Sequence, residues 1–280
     1  MIRNKSYNND GHLLYLIATP IGNLKEFSPR AIEILNSIDI VAAEDTRNSK
    51  DLLSKFNMHI KEYFSLREHN ESEASEILIK KIKEGKRVAY MSDAGYPCIS
   101  DPGNILVNKC INIGIKVSPI SGSTAGLDAL ISSGLDCSHF YFYGFLPSKD
   151  SDAIKEIDLL KDRNETIILY ESPHRIKETL EKLYSQLGNR KIVLARELTK
   201  LNEEFIYGTL EELANIDEST LKGEMVLILD GNKAEKEIDI EEIKDRIKYL
   251  KSKNLTNKDV IDIILFEYKI NKNRIKDLVL

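Results

Sequence analysis

The chain has 280 residues, 42% apolar and 30% charged, as in an ordinary soluble globular protein of one large domain or two smaller ones. A net charge of −5 exerts no global pull toward nucleic acid or an anionic membrane, and no apolar run approaches the length of a membrane span. Cys98, Cys110 and Cys137 stand apart without CxxC spacing, which argues against a structural zinc site or a disulfide framework and reads each as small core filler.

The opening segment, MIRNKSYNNDGH, is polar and lacks the apolar stretch of a signal peptide. It reads as an unstructured extension of a cytoplasmic protein. LLYLIA (13–18), IDIVAAE (38–44), RVAYM (87–91) and IKVSPI (115–120) are short, continuously apolar and partly β-branched. Such runs are strands buried on both faces, as in a parallel sheet. Between them SPRAIEILNSI, TRNSKDLLSKF, ESEASEILIKKIKEG and GNILVNKCINIG space their apolar residues as helices, several opening on Ser, Thr or Pro. Alternating strand and helix predicts an α/β fold. Beyond about residue 125, FYFYGF, ETIILYES, RKIVLARE, EEFIYGT and GEMVLILDG are again strands. Two of them are joined by only a short polar link, which predicts antiparallel pairing in a second, mixed sheet. From residue 232 a tail opens acidic and turns basic after Arg246; IDIEEIKDRIKYL, NKDVIDIILFEY and KNRIKDLVL predict three short helices. The expected division is an extension (1–12), an N-terminal α/β domain (13–121), a C-terminal α/β domain (122–231) and a helical tail (232–280).

Ligands of open α/β sheets bind beyond the carboxyl ends of the strands. ATPIGN (18–23), MSDAGYPCISDPGN (91–104), SGSTAG (121–126) and GFLPSK (144–149) all lie at such ends. Any one of them is most simply a turn, but four together predict the rim of one pocket, where small residues let backbone approach a ligand. The chain has no GxGxxG, GxxxxGK[ST] or GxSxG signature and no His/Cys cluster for a metal. The rim suits a ligand with ribose and amino-acid parts but no phosphate.

The set ATPIGNL, AAEDTR, SDAGYPCISDPG, PISGSTAG, FYGFLP, YESPHR and ARELTK resembles the tetrapyrrole-methylase superfamily. Within it, the motifs resemble the branch that methylates a cytidine 2′-oxygen in the 16S rRNA of the small ribosomal subunit. The resemblance runs from about residue 13 to about residue 231, and more weakly to the end. It departs from the usual SDAGTPxISDPG at Tyr96, which adds bulk beside the pocket, and at Cys98.

The resemblance implies two α/β domains, a homodimer, and S-adenosylmethionine as cosubstrate in the cleft between the domains. It carries cofactor roles to Pro20, Asp93, Gly95, Tyr96, Ser123, Thr124, Tyr170 and Ala195. Asp93 would accept hydrogen bonds from a ligand amine or ribose hydroxyl, while Asp101 or Ser100 would cap the following helix. Other readings stay open: Asp93 as a turn residue, Ser123 and Thr124 as helix caps, Tyr170 and Ala195 as plain core.

Chemistry falls to charged clusters outside the cofactor loops. Glu44, Asp45 and Arg47 in EDTR are the catalytic candidates. Arg67 in REHNE, and His174 with Arg175 in SPHR, are candidates for RNA contact, since arginine beside helix N–H groups suits phosphate. Solvated helix starts are the alternative for each. A methyltransferase of the same fold acting on a tetrapyrrole or on diphthine, and a non-enzymatic ribosome-associated module, are the competing functions. EDTR, SPHR and the basic tail favour RNA.

Overall fold

The continuous apolar runs become strands with helices on both sides. In the computed structural model, which describes residues 1–7, 12–233 and 240–268, Leu13–Ile17 (β1), Ile40–Ala43 (β2), Glu62–Ser65 (β3), Val88–Met91 (β4) and Lys116–Ile120 (β5) form a wholly parallel sheet. Its order is β3-β2-β4-β1-β5. Successive residues point to opposite faces, as a strand requires. Leu14, Val88 and Tyr90 pack with Leu78 and Ile82 of Glu71–Lys83 (α3) and Leu106 of Asn104–Asn112 (α4). Leu13, Val41 and Met91 pack on the other face with Leu35 of Pro29–Leu35 (α1) and Leu53 of Thr46–Ser54 (α2). Double burial explains the lack of polar alternation. β3 was not foreseen: EYFS is four half-buried residues at the sheet edge, too short and too mixed to stand out.

The second sheet is mixed, as expected. It holds Phe140–Phe145 (β6), Thr166–Glu171 (β7), Lys191–Arg196 (β8), Glu204–Thr209 (β9) and Met225–Leu229 (β10) in the order β6-β7-β10-β8-β9. β6 and β7 are parallel, and the other pairings antiparallel. Ala125–Ser132 (α5) covers one face through Ala129 and Leu130 against Ile168, Val193 and Val226. Asp150–Leu159 (α6), Ile176–Leu187 (α7) and Leu210–Ala214 (α8) cover the other, where Ile157, Leu180, Leu183 and Leu210 meet Ile167, Leu169 and Leu227. Each such Leu or Ile, once buried, contributes about 1.5–3 kcal/mol.

Both sheets belong to one compact unit, Met1–Asn232, and Lys233–Leu280 is a second. In the second unit Ile240–Ser252 (α9) and Asn257–Tyr268 (α10) bury Ile243, Ile247 and Leu250 against Val260 and Ile264. The Arg246 guanidinium donates to both carboxylate oxygens of Glu267, at 2.6 and 2.9 Å. The helix expected over 272–280 lies outside the described residues. In the polar opening segment Asn4 donates its side-chain amide to the Val117 carbonyl at 2.8 Å, which β5 offers because it is an edge strand.

Candidate active site

The loops after β1 and β4 are joined by a two-residue ladder. Thr19 N–H donates to the Gly95 carbonyl at 2.8 Å and Gly95 N–H to the Thr19 carbonyl at 3.1 Å. Gly95 sits at φ +80°, the left-handed region that suits glycine. The Ser92 hydroxyl donates to the Gly95 carbonyl at 2.8 Å, and the Thr19 hydroxyl to the Ser92 carbonyl at 3.2 Å. Beyond this ladder opens a cleft of about 350 Å³ at the carboxyl ends of the parallel strands. All four predicted rim loops line it, through Ile21, residues 93–96 and 99–101, Thr124 with Ala125, and Phe145. Residues 170–173, Leu198 and residues 224–226 close it from the second sheet.

The β4–α4 loop is held from several sides. Tyr90, wholly buried beneath it, donates its hydroxyl to the Pro102 carbonyl at 2.7 Å. Gly103 has φ +124°, and a Cβ there would lie 2.5 Å from the Tyr90 ring and 2.7 Å from Cys98 Sγ, so only glycine fits. Cys98 and Ser100 take positive φ values of 69° and 60°, a strained conformation for residues with a side chain. The cap of α4 differs from expectation. Neither Asp101 nor Ser100 caps it; Gly103 occupies the N-cap position, and the buried Glu71 carboxylate reaches in from α3. Glu71 Oε1 accepts the N–H of Gly103 at 2.8 Å and of Ile105 at 2.7 Å. Asp101 is thereby released to line the cleft. Its carboxyl is pushed up to about 7 by burial and by the negative charges of Glu44 and Asp93.

Asp93 lines the cleft, and its Oδ2 accepts a hydrogen bond from Asn48 Nδ2 of α2 at 2.7 Å. Asn48 carried no local signal, because it reads as an ordinary residue of a helix first turn, and Glu71 stood out only as the end of the polar REHNE cluster, not as a cap for α4. Gly95, Tyr96, Thr124 and Tyr170 also line the cleft. The Tyr96 hydroxyl accepts the Gly122 N–H at 3.2 Å, so the residue that departs from the usual motif ties two rim loops together. The Tyr170 hydroxyl accepts the Gly126 N–H at 3.1 Å. Burial raises its pKa, opposed by hydrogen bonds with Gly126 and Thr124. Phe142 and Phe145 pack edge-on against its ring, at 5.2 and 5.5 Å.

Three of the expected cofactor residues stand back from the lining. Pro20 is buried. Ser123 donates its hydroxyl to Glu26 Oε2 at 2.8 Å. Ala195 is core, packed with Val193 and Val226. Thr124 holds the N-cap position of α5 without a side-chain cap bond, so neither Ser123 nor Thr124 caps that helix through its hydroxyl.

The charged clusters are more committed than their composition suggests. Asp45 is the N-cap of α2: Oδ1 accepts the Arg47 N–H at 2.9 Å, and the Arg47 guanidinium binds both carboxylate oxygens. Those hydrogen bonds hold the Asp45 pKa far below the usual carboxylate range. Arg47 itself is exposed. Arg67, also exposed, donates Nε to the Glu44 carbonyl at 3.1 Å. Arg175 donates Nη2 to the carbonyls of Leu146 and Pro147 at 3.1 and 3.0 Å, which fixes the loop bearing Phe145. His174 beside it is exposed.

Comparison with known proteins agrees with this architecture. Residues 13–214 match the family model of Tetrapyrrole (Corrin/Porphyrin) Methylases. The ribosomal RNA small subunit methyltransferase I of Bacillus subtilis is 41% identical, across 98% of this chain and 97% of that protein. The protein of the same name from Halalkalibacterium halodurans is 47% identical, across 80% and 78%. Among solved structures, a diphthine synthase superposes with a TM-score of 0.60 at 18% identity, covering 78% of this chain and 90% of that one. The cobalamin biosynthetic enzyme cobalt precorrin-4 methyltransferase gives 0.58 at 17%, covering 78% and 95%. Those two likenesses show the fold alone, whereas the curated relatives reach much higher identity over most of the chain. The chain belongs to the tetrapyrrole methylases and, within them, to the ribosomal RNA small subunit methyltransferase I family.

Proposed function

We propose that this protein transfers a methyl group from S-adenosylmethionine to the ribose 2′-oxygen of a decoding-site cytidine, cytidine 1402, in the 16S rRNA of the small ribosomal subunit. The observation that carries the reading is the cleft itself. It lies at the strand ends of a parallel sheet, is rimmed by Asp93 and Asp101, and carries an apolar wall of Ile21, Phe145 and Tyr170. Carboxylates suit a ligand with an ammonium and a sulfonium charge, the apolar wall suits an adenine, and the volume lies within the range of small-molecule sites. The residues present therefore fit S-adenosylmethionine. Asp93, Gly95, Tyr96, Thr124 and Tyr170 would hold it.

When bound, S-adenosylmethionine supplies an electrophilic methyl group whose leaving group is a neutral thioether, so no acid is needed. The protein's task is to align the ribose oxygen with that carbon and exclude water. Arg47 and Arg67, exposed beside the β2 end, and His174 serve as phosphate contacts that position the RNA. Arg175 acts indirectly, by fixing the loop of Phe145. Asp45 fixes Arg47, and Glu44 adds negative charge beside Asp101.

Among the described residues no helix is long and apolar enough to cross a membrane; we place the protein in the cytoplasm with its ribosomal substrate. A homodimer is supported by Leu127 and Ile131 of α5 and Phe140 of edge strand β6, which leave 43%, 72% and 43% of their surface exposed. The deciding experiment is deletion of the gene followed by mapping of 2′-O-methyl groups on small-subunit rRNA. Loss of one cytidine methyl, restored by the intact gene, is expected; an unchanged map overturns the reading.

A further inference from the structure

The loop after β1 is tied to both sheets. At its start Thr19 pairs with Gly95 of the β4–α4 loop. At its end the Asn23 N–H donates to the Thr199 hydroxyl at 3.0 Å, and Thr199 belongs to the β8–β9 loop of the second sheet. Between these ties Ile21 lines the cleft, in the same apolar cluster as Leu198, which closes the cleft from the second sheet. Gly22 marks how near the two loops come. A Cβ there would lie 2.6 Å from Lys200 Cγ, 2.8 Å from Thr199 Oγ1 and 3.2 Å from the Leu198 carbonyl oxygen, so one loop rests directly on the backbone of the other.

The β8–β9 loop is held firmly in that place. Glu197 and Thr199 take positive φ values of 50° and 65°, a costly conformation for residues with a side chain, and several hydrogen bonds keep them there. Glu197 N–H donates to the Glu224 carbonyl at 3.1 Å, and Thr199 N–H to Glu203 Oε2 at 2.7 Å. Lys200 lays its methylene chain over Gly22 while its ammonium donates to Glu197 Oε1 at 3.0 Å and to Glu224 Oε2 at 3.1 Å. Glu224 itself lines the cleft. We infer that Thr199 and Lys200 are positioning residues for the cosubstrate. They clasp the loop after β1 to the second sheet and so set the gap between Ile21 and Leu198 that S-adenosylmethionine enters. This goes beyond the RNA substrate proposed above and rests only on S-adenosylmethionine occupying the cleft.

Of the ARELTK motif, only Ala195 was expected at the cofactor, and Ala195 is core. It is the far end of the motif, Thr199 and Lys200, that reaches the first sheet. Neither residue lines the cleft, and nor does Gly22, so all three act through Ile21, Leu198 and Glu224. A site whose walls already stand at their bound separation binds more tightly, because little ordering remains to be done when the ligand arrives. Wall position also governs rate, since reacting groups misplaced by about 1 Å lose about 10²-fold. A tie that merely stabilised the β8–β9 turn would affect folding and leave the affinity of the folded protein unchanged.

The test uses the full-length protein and three variants. Thr199→Val keeps the shape of the side chain and removes the hydroxyl, Thr199→Ser keeps the hydroxyl, and Gly22→Ala pushes the loops apart while leaving Thr199 in place. In the cofactor-free protein, exchange of the Asn23 amide with deuterated solvent, followed by NMR, should quicken about three- to tenfold in Thr199→Val, as expected for one lost hydrogen bond, and stay at the wild-type rate in Thr199→Ser. Calorimetry should show the S-adenosylmethionine Kd rising by a similar factor, about three- to tenfold, in Thr199→Val and in Gly22→Ala, with Thr199→Ser near wild type. Thermal scans establish that each variant is folded at the titration temperature; should Thr199→Val not fold, Gly22→Ala carries the affinity test. Wild-type affinity in folded Thr199→Val and Gly22→Ala overturns the inference and makes the contact a stability element. Equal losses of affinity in the Val and Ser variants overturn the role of the hydroxyl, and an Asn23 amide that exchanges alike in all four proteins overturns the clasp. Wild-type protein that binds no S-adenosylmethionine overturns the cofactor and this inference together, whereas wild-type binding with unimpaired variants overturns the clasp alone.

Discussion

Glu71 Oε1 accepts the N–H of Gly103 at 2.8 Å, so a side chain at the start of α3 closes the start of α4. The same oxygen takes the Ile105 N–H, and both donors are otherwise orphans of a helix start. Glu71→Ala should therefore cost about 1–3 kcal/mol, as unpaired buried donors do, and should also weaken S-adenosylmethionine binding, because the loop it anchors lines the cleft. Urea unfolding and calorimetric titration check both effects. Unchanged stability would mean that water replaces the carboxylate without penalty.

Asp93→Ala should weaken S-adenosylmethionine binding by about tenfold or more, the loss of one charge-assisted hydrogen bond, while the fold stays intact. Asn48→Ala should have a smaller effect of the same sign, because it removes only the Asn48 contact to Asp93 Oδ2. Wild-type affinity in a folded Asp93→Ala variant would make Asp93 a turn residue.

Asp101 also predicts a pH dependence of stability. Its folded pKa is raised to about 7, above the value near 4 of an unfolded chain. Between those pH values the folded state binds the proton more tightly, so stability falls as pH rises through the window. Asp101→Asn removes the liability. At pH 8 it should raise Tm by roughly 2–4 °C, the shift that about 1 kcal/mol produces in a domain of this size. At pH 4 the two proteins should unfold alike. Thermal scans at the two pH values decide it, and an Asn variant destabilised equally at both would mean the carboxylate makes a structural contact.

Arg47→Ala should leave cofactor affinity intact and lower methyl transfer to small subunits by about tenfold, the order of one lost phosphate contact. Asp45→Ala should lower transfer as well and should also cost about 1 kcal/mol of stability, through loss of the α2 cap. Normal transfer by both variants would confine the cluster to a structural role.

Truncation after Asn232 should leave a folded body that binds S-adenosylmethionine. Asn232 N–H donates to the Arg163 carbonyl and its side chain to the Lys161 carbonyl, so the cut leaves both of these ties in the body. The apparent KM for small subunits should rise and the salt dependence of RNA binding become shallower, as fewer counterions are released. Arg246 contributes little to that slope because Glu267 already neutralises it. Identical slopes would make the tail a stability element.

The local order of the chain determined the two-sheet α/β plan, since strands buried on both faces need unbroken apolar runs and helices need apolar spacing to match. It also located the rim loops, because a chain that must turn at a strand end and admit a ligand needs small residues there. The family resemblance of the motifs singled out Asp93 within that rim, and Asp93 does line the cleft. What only tertiary structure decided was which polar group was left over. Asp45, Ser123 and Arg175 have the composition of site residues, yet they are engaged by Arg47, Glu26 and the Leu146 and Pro147 carbonyls. Asp101 reads in sequence as a helix cap, but Glu71, thirty positions earlier in the chain, takes that duty and leaves the Asp101 carboxylate facing the cleft. A hydrogen bond between residues far apart in sequence has no local pattern, so the division of labour between two carboxylates appears only when the chain is folded.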